Sequence, residues 1–460
     1  MLNRREFLGA LPLAAAPAPR PNVILILADD LGYGDLGCYG CEIPTPNLDR
    51  LAAEGVRFTQ GYVASPICSP SRVAITTGQY PARHLIFSFL HTRKRQRELG
   101  MRDYLDPAAP SIARTFQQAG YATAHFGKWH MGGGRDVDDA PLPAEYGFDE
   151  SLTSFEGLGD RVLPPGSLSE MSAKLGRGRI TWAPKHELTE IYVDRSMDFI
   201  RRNSNRPFYI QMWPNDVHDP FEPKPELMRK YERFAKNKYV QQYYATLDEM
   251  DRQIGRLVEA VDSMGLADRT LFVFLSDNGP TAWPRYYKEG LEPPGSTAGF
   301  RGRKWSLYEG GIRVPFLARW KGKIPAGRVN RDTVVNAVDL FPTLCRLAGV
   351  KPPAVDFDGE DLSDAFLGRA VRRKRDLLWE YGRDATFIYP GLERDRSPNL
   401  AIRSGPWKLL VNDDGSRMEL YDLARGGAED RNLAAAQPEI ARRLSQRVLE
   451  WRRSLPAFKG

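Results

Sequence analysis

Cysteine is rare in this sequence, with four residues in 460, which is too few for a disulfide scaffold in a chain of this length. Histidine is also scarce, with six residues. Cys38 and Cys41 have the C-x-x-C spacing of half a zinc site, but a zinc site needs a second pair, and the sequence has none. We therefore interpret these two residues as free thiols or as one local disulfide.

Long apolar runs are absent as well, and no internal segment is apolar enough to cross a bilayer as a helix. We therefore expect no membrane span. The net charge of +7 favours polyanionic partners. No signature of a nucleic-acid-binding module accompanies this charge, so we expect no nucleic-acid partner.

The first 20 residues have the layout of an export signal. Arg4 and Arg5 precede a short apolar run at residues 11–16, which is followed by small residues and prolines. The paired arginines resemble a bacterial twin-arginine signal and predict an exported protein, located in the periplasm. A disordered basic N-terminus is the alternative.

The rest of the chain alternates short apolar runs with amphipathic segments, which predicts an α/β fold with a large, mostly parallel or mixed sheet flanked by helices. Strands are predicted at residues 22–28, 121–126, 208–213, 270–276 and 314–320. Helices are predicted at residues 112–118, 188–202, 240–264 and 339–347. Residues 23–27 are uninterrupted by polar residues, so this strand should be central and covered on both faces.

The C-terminal part of the chain has a different pattern. Three short β-type segments separated by turn residues, and then a helical segment at residues 438–453, predict a smaller antiparallel sheet covered by a helix. We divide the chain into an export signal (1–20), a catalytic domain (21–380) and a C-terminal α+β subdomain (381–460).

Polar clusters occur at the ends of four predicted strands. They are Asp29 and Asp30, residues 127–130, residues 215–218, and residues 276–279. Ligands bind at the carboxyl ends of strands in open α/β sheets, so these clusters are expected to meet in one crevice. The pairs Asp29-Asp30 and Asp277-Asn278 offer the hard oxygen ligands that calcium or magnesium requires. Loop capping is the alternative role for either pair.

Cys68 stands just before a predicted helix start, with Pro70 suited to the first helical turn. A helix N-terminus favours a bound anion, and Arg72, one turn further, can direct its guanidinium at the same anion. For an isolated cysteine in this position, a buried thiol without a function would be the better interpretation.

The segment Cys68-Ser69-Pro70-Ser71-Arg72, followed by Thr-Thr-Gly-Gln-Tyr-Pro at residues 76–81, resembles the sulfatase signature C-x-P-S-R with its downstream T-G-x-Y-P. The similarity runs from residue 22 to residue 433. It implies an alkaline phosphatase-like fold and the hydrolysis of sulfate esters, with a sulfated small molecule or glycan as substrate. It also implies that a formylglycine-generating enzyme converts Cys68 to formylglycine, whose hydrate is the nucleophile.

The resemblance also implies the site residues. The metal, calcium with magnesium as the alternative, would be held by Asp29, Asp30, Cys68, Asp277 and Asn278. The catalytic residues would be Cys68, Arg72, Lys128, His130, His218 and Lys304. In this hypothesis Arg72, Lys128 and Lys304 stabilise developing negative charge. His218, alone or together with Lys304, protonates the leaving oxygen, and His130 takes the proton of the second hydroxyl.

Two other functions are consistent with parts of the pattern. A phosphodiesterase or phosphonate monoester hydrolase of the same superfamily would share the fold and the metal, but those enzymes typically have histidine where this sequence has Asn278. A catalytically inactive protein that binds sulfated glycans would keep Cys68 as a thiol. The mass of the peptide that contains Cys68 separates this second alternative from a sulfatase.

Overall fold

The structure is a computed structural model that describes residues 20–384 and 386–457. The predicted export signal lies outside these described residues, except for Arg20. The strands are β1 (Asn22–Ala28), β2 (Val56–Phe58), β3 (Gly61–Tyr62), β4 (Ala122–Lys128), β5 (Glu150–Ser154), β6 (Arg161–Leu163), β7 (Ile180–Trp182), β8 (Phe208–Trp213), β9 (Thr270–Ser276), β10 (Phe316–Arg319), β11 (Arg328–Asn330), β12 (Val335–Asn336), β13 (Leu377–Glu380), β14 (Leu400–Ser404), β15 (Trp407–Val411) and β16 (Glu419–Asp422). The helices are α1 (Pro46–Ala53), α2 (Cys68–Thr77), α3 (Arg93–Leu99), α4 (Ile112–Gln118), α5 (Ser167–Lys174), α6 (Leu188–Asn203), α7 (Pro225–Lys230), α8 (Lys238–Ser263), α9 (Pro284–Lys288), α10 (Glu309–Ile312), α11 (Leu340–Leu347), α12 (Ser363–Phe366) and α13 (Pro438–Ser454).

The main sheet has ten strands within the described residues, in the order β11-β2-β10-β9-β1-β8-β4-β5-β6-β7. Strand β1 lies in its middle and pairs in parallel with β8 and β9. Strand β10 is antiparallel to both β9 and β2. The predicted large sheet, mostly parallel with a mixed edge, is therefore confirmed.

Both faces of β1 are buried, as its apolar run predicted. Val23, Leu25 and Leu27 face a core that includes residues of α2, α4 and α11. Ile24 and Ile26 face a second core formed with α1, α6 and α8. Alternate side chains of one strand thus hold two helical layers against the sheet, which gives the site a rigid support.

Several predicted bounds agree with the structure, namely strands 22–28, 208–213 and 270–276 and helix 112–118. Strand β4 extends to Lys128, so Gly127 and Lys128 belong to the strand, whereas the sequence placed them after it. Helix α2 already includes Cys68, which was predicted just before the helix start. Helix ends differ by one or two residues between definitions, so Cys68 still lies at the helix N-terminus.

A second sheet, β13-β14-β15-β16, is antiparallel throughout and packs against α13. The last three strands and the helix match the predicted C-terminal pattern. Strand β13 was not predicted, because its four residues follow an arginine-rich stretch without a turn signal that would set them apart. It pairs along β14, from Leu377 opposite Arg403 to Glu380 opposite Leu400.

Cys38 and Cys41 are free thiols, so the local disulfide is excluded and the other interpretation of this pair stands. Among the described residues, no helix combines the length and the apolar character that a bilayer crossing requires.

Candidate active site

Four adjacent strands of the main sheet, β9, β1, β8 and β4, run parallel. Their carboxyl ends share one edge of the sheet, so the segments that follow them start side by side. The polar side chains there are Asp29 and Asp30 after β1, Asp277 and Asn278 after β9, His218 after β8, and Lys128 and His130 at the end of β4. The structure therefore brings together residues that are up to about 250 positions apart in the chain.

Four side chains with oxygen atoms are buried at this edge, and each is at most 1% exposed: Asp29, Asp30, Asp277 and Asn278. Asn278 Nδ2 donates to Asp30 Oδ1 at 2.7 Å, and the Asp30 backbone N–H donates to Asp277 Oδ1 at 3.2 Å. Asp29 Oδ1 and Asn278 Oδ1 have no hydrogen-bond partner among the described residues. Buried acceptors without a donor are costly, so these two oxygens in an acidic cluster fit a hard divalent cation.

Each carboxylate of the cluster also has a cationic partner. The three pairs are Lys128 Nζ with Asp29 Oδ2 at 2.6 Å, Lys304 Nζ with Asp30 Oδ1 at 2.6 Å, and Arg72 Nη2 with Asp277 Oδ2 at 2.7 Å. Both lysines belong to the wall of one cavity, so their charges also act on a ligand there. This alternation of acids and bases suits an anion that is bound next to a metal ion.

The pKa values of the carboxylates differ because their surroundings differ. Burial raises the pKa of Asp29, but the charges of Lys128, Arg72 and Lys304 outweigh burial and hold this pKa well below its usual range. In Asp277, burial and the nearby negative charge of Asp29 raise the pKa to about 7. A divalent cation would supply the positive charge that keeps every carboxylate ionised at neutral pH.

Cys68 is the first residue of α2, and it is 2% exposed. Its Sγ, one carboxylate oxygen each of Asp29 and Asp30, and a ring nitrogen of His218 all lie within 4.8 Å of one another. Burial raises the pKa of the Cys68 thiol to about 11, despite two nearby lysines. An unmodified Cys68 is therefore a neutral thiol at pH 7 and a weak nucleophile.

Two histidines complete the polar surroundings of Cys68. The Nδ1–H of His218 donates to the Asp219 carbonyl at 2.5 Å, and His218 Nε2 lies 3.6 Å from Asp30 Oδ2. Burial and the charge of Lys304 lower the pKa of His218 to about 3. His130 is also buried, has no partner for either ring nitrogen within the described chain, and has a pKa well below its usual range, chiefly because of burial. Both imidazoles are therefore neutral before a ligand binds.

The site opens into a cavity of about 560 Å³. Of the predicted site residues, Asp29, Cys68, Lys128, His130, His218 and Lys304 line this cavity, whereas Asp30, Arg72, Asp277 and Asn278 are not part of its wall. The side chains that would contact a substrate are thus separated from those that complete the acidic cluster.

Lys185 also lines the cavity, and the sequence did not predict it. Its Nζ donates to the carbonyls of His218 at 2.7 Å and of Pro220 at 2.6 Å, and it thereby fixes the loop after β8. Burial lowers the pKa of Lys185. The surrounding sequence, Ala-Pro-Lys-His, contains no motif that marks this lysine as a site residue. Its role follows only from its contacts with His218 and Pro220, which lie 33 and 35 residues later in the chain.

Comparison with known proteins adds independent information. The model of the Sulfatase family matches residues 21–350, and the model described as N-sulphoglucosamine sulphohydrolase, C-terminal, matches residues 299–454. The chain is 30% identical to arylsulfatase A of Homo sapiens over 96% of this chain and 90% of the relative. It is 29% identical to N-acetylgalactosamine-6-O-sulfatase of Bacteroides thetaiotaomicron over 93% of this chain and 92% of the relative.

A similar solved structure is the crystal structure of Ps i-CgsB in complex with k-i-k-neocarrahexaose. The two superimpose with a TM-score of 0.78 and 28% sequence identity, over 96% of this chain and 94% of the other. The similarity therefore extends over both sheets and is not limited to the signature segment.

Proposed function

This chain belongs to the sulfatase family and is a sulfuric ester hydrolase, and from this premise we propose that it removes sulfate from sulfated carbohydrates with a nucleophile formed at Cys68. One observation carries the assignment of Cys68: its Sγ lies within 4.8 Å of oxygens of Asp29 and Asp30 and of a ring nitrogen of His218, which follow two neighbouring strands. The names of the relatives support a carbohydrate, since one is an N-acetylgalactosamine-6-O-sulfatase and a similar structure holds k-i-k-neocarrahexaose.

Family membership implies a formylglycine and a divalent metal. Asp29, Asp30, Asp277 and Asn278 would hold the metal, as their two orphaned oxygens suggest. Together these groups supply a hydrated-aldehyde hydroxyl as nucleophile and a positive charge at the sulfate oxygens. We propose calcium, because it accepts several oxygen ligands in flexible geometry. A metal analysis of purified protein that finds magnesium instead of calcium would correct this choice.

The side chains of the cavity have separate roles in this proposal. Lys128 pairs with Asp29, Lys304 pairs with Asp30, and both lysines stabilise the negative charge that develops on the sulfate oxygens. Arg72 is not part of the cavity wall and acts on the site by positioning other groups. It donates to Asp277 at 2.7 Å and to the Lys128 carbonyl at 3.0 Å. His130 has two ring nitrogens without a protein partner, so one of them is free to accept the proton of the second hydroxyl.

Maturation and location follow the same proposal. A formylglycine-generating enzyme oxidises Cys68, and the segment before residue 21 directs export to the periplasm. If the protein were recovered from the cytoplasm with residues 1–20 still attached, the proposed export would be wrong. The proposed reaction at Cys68 would not be affected by that result.

The proposed reaction is tested with one sulfate ester and one phosphate diester of the same aryl alcohol. We expect a higher kcat/KM on the sulfate ester, together with release of sulfate from sulfated monosaccharides. A preference for the phosphate diester would identify a phosphodiesterase. The absence of turnover, with Cys68 found as a thiol by mass, would favour a protein that only binds sulfated glycans.

Replacing His218 with alanine should lower kcat/KM by roughly 100-fold or more on an alkyl or sugar sulfate. The loss should be smaller on an aryl sulfate, because an aryl oxide leaves without much help from an acid. The reason is geometric: His218 lines the cavity, and its Nδ1–H donates to the Asp219 carbonyl. Nε2 therefore faces the acidic cluster and takes the role of the acid once the anionic sulfate ester binds and favours the protonated ring. The measurement is the decrease in kcat/KM on the alkyl or sugar sulfate divided by the decrease in kcat/KM on the aryl sulfate.

The matched control is His186→Ala, since His186 is half-buried and is not part of the cavity wall, although it directly follows Lys185 of that wall. This variant should leave both activities unchanged. Equal losses on both substrates in His218→Ala would exclude His218 as the acid of the leaving group.

A further inference from the structure

Arg135 lies in the wall of the cavity that contains Cys68 and Lys128. Its Nε donates to Glu156 Oε1 at 2.9 Å, and its side chain is 12% exposed. Neither Nη1 nor Nη2 hydrogen-bonds to a described residue. Neither atom is among the buried, unpaired polar atoms of the described chain, so both are accessible. The outer edge of the guanidinium is therefore open to a ligand.

The local backbone fixes this guanidinium in place. Arg135 and Glu156 have φ values of 52° and 57°, in the left-handed region that non-glycine residues rarely adopt. A Cβ on Gly134 would overlap the Glu156 carboxylate, so the two segments approach each other as closely as glycine allows. Residues held in such conformations persist where the surrounding structure determines them, and they are frequent at ligand-binding sites.

The chemistry of an open guanidinium edge is specific. Two parallel N–H donors match the two oxygens of a carboxylate or of a sulfate group. Glu156, 4% exposed, occupies the Nε side and anchors the group without covering the outer edge. The cavity, at about 560 Å³, is also in the size range of pockets that enclose ligands much larger than one sulfate group.

We propose that Arg135 binds a second anionic group of the substrate, a carboxylate or another sulfate, while the scissile sulfate lies at Cys68. The inference rests on the proposed function and refines it, because it makes polyanionic sugars the preferred substrates. Arg135 is a binding residue in this proposal and takes no part in bond breaking.

The experiment compares wild type and Arg135→Gln on three substrates. They are a neutral monosaccharide with one sulfate, a monosaccharide with two sulfates, and a disaccharide with one sulfate and one uronate carboxylate. We expect kcat/KM to fall about 10- to 100-fold on at least one dianionic substrate, the usual effect of losing a charged hydrogen bond. The loss should appear in KM, because a contact remote from the reacting atoms acts equally on the ground state and the transition state. If the disulfated monosaccharide shows the loss, Arg135 binds a sulfate group. If the uronate-containing disaccharide shows it, Arg135 binds a carboxylate.

Two further variants keep the test decisive if Arg135→Gln disturbs the fold by leaving Glu156 unpaired. The double variant Arg135→Gln/Glu156→Gln removes both charges of the pair and should show the same selective loss. The control Arg179→Gln removes an arginine whose side chain is 72% exposed, and it should change nothing.

Equal losses on all three substrates, or no loss on either dianion, would overturn the proposal. Its failure is distinguishable from failure of the proposed function, because in the latter case wild type itself would not release sulfate from the neutral monosaccharide or from an aryl sulfate.

Discussion

Replacing Cys68 with alanine is expected to lower kcat on an aryl sulfate by about 10⁴- to 10⁶-fold, the range found when an enzyme loses its nucleophile. The fold should be retained. Cys68 is a free thiol at the start of α2, and alanine is an excellent helix former of smaller volume. Thermal unfolding of the variant should therefore show a change in the free energy of unfolding of only about 1 kcal/mol.

Cys38→Ala is the matched control, because Cys38 is also a free thiol but is not part of the cavity wall. It should keep full activity. Mass spectrometry of the peptide around Cys68 should find the aldehyde in wild type. If Cys68→Ala retained substantial turnover, the nucleophile would have to be another residue.

The central part of the fold could be predicted because its strands are long and uniformly apolar. Residues 22–28 and 270–276 match β1 and β9 from end to end. Strands β2, β3, β11 and β12 have only two or three residues each, which is too short for a period of two to be visible. Such strands form because a neighbouring strand offers hydrogen bonds, as β10 does for β2, and that information is not local.

The candidate site was predictable to the same extent. Asp29 and Asp277 follow strands that run parallel side by side, so strand prediction alone brings them to one edge. Arg135 lies in a loop and Lys185 begins a short 3₁₀ helix, and the positions of both segments depend on contacts such as that of Lys185 with the His218 carbonyl. Lys304 was indicated by the family resemblance alone, since it lies far beyond the end of β9.

The C-terminal sheet helps to position the segment that carries Lys304. The Leu307 backbone N–H donates to Ser397 Oγ at 2.9 Å, and Tyr308 Oη donates to Glu419 Oε2 at 2.7 Å. Glu309, which begins α10, contacts a lysine of β15. The second sheet therefore acts on the site through the chain segment directly after Lys304.

Replacing that lysine, Lys408, with methionine is expected to lower the free energy of unfolding at neutral pH by about 3–5 kcal/mol, the usual cost of removing one partner from a buried ion pair. Lys408 Nζ lies 2.9 Å from Glu309 Oε1 and 2.8 Å from Glu429 Oε1, and all three side chains have no exposed surface. Glu309 keeps a second cation in the variant, because Arg313 Nη1 lies 3.2 Å from Glu309 Oε2. The uncompensated charge is therefore that of Glu429. Urea unfolding of both proteins measures the difference.

The pH dependence tests this explanation. Burial raises the pKa of Glu429 to about 7 in wild type. A raised folded-state pKa means that the stability contributed by the protonated form is fully present below the unfolded pKa and is lost as pH rises through the folded value. Without Lys408 the pKa of Glu429 rises further, so the destabilisation should be larger near pH 8 than near pH 5.

The double variant Lys408→Met/Glu429→Gln removes the unpaired charge and should recover most of the lost stability, whereas Lys351→Met, at an exposed position, should cost almost nothing. A destabilisation that is independent of pH and is not relieved by Glu429→Gln would show that Lys408 stabilises the fold by packing, because the loss of methylene contacts does not depend on the protonation of a neighbouring carboxylate.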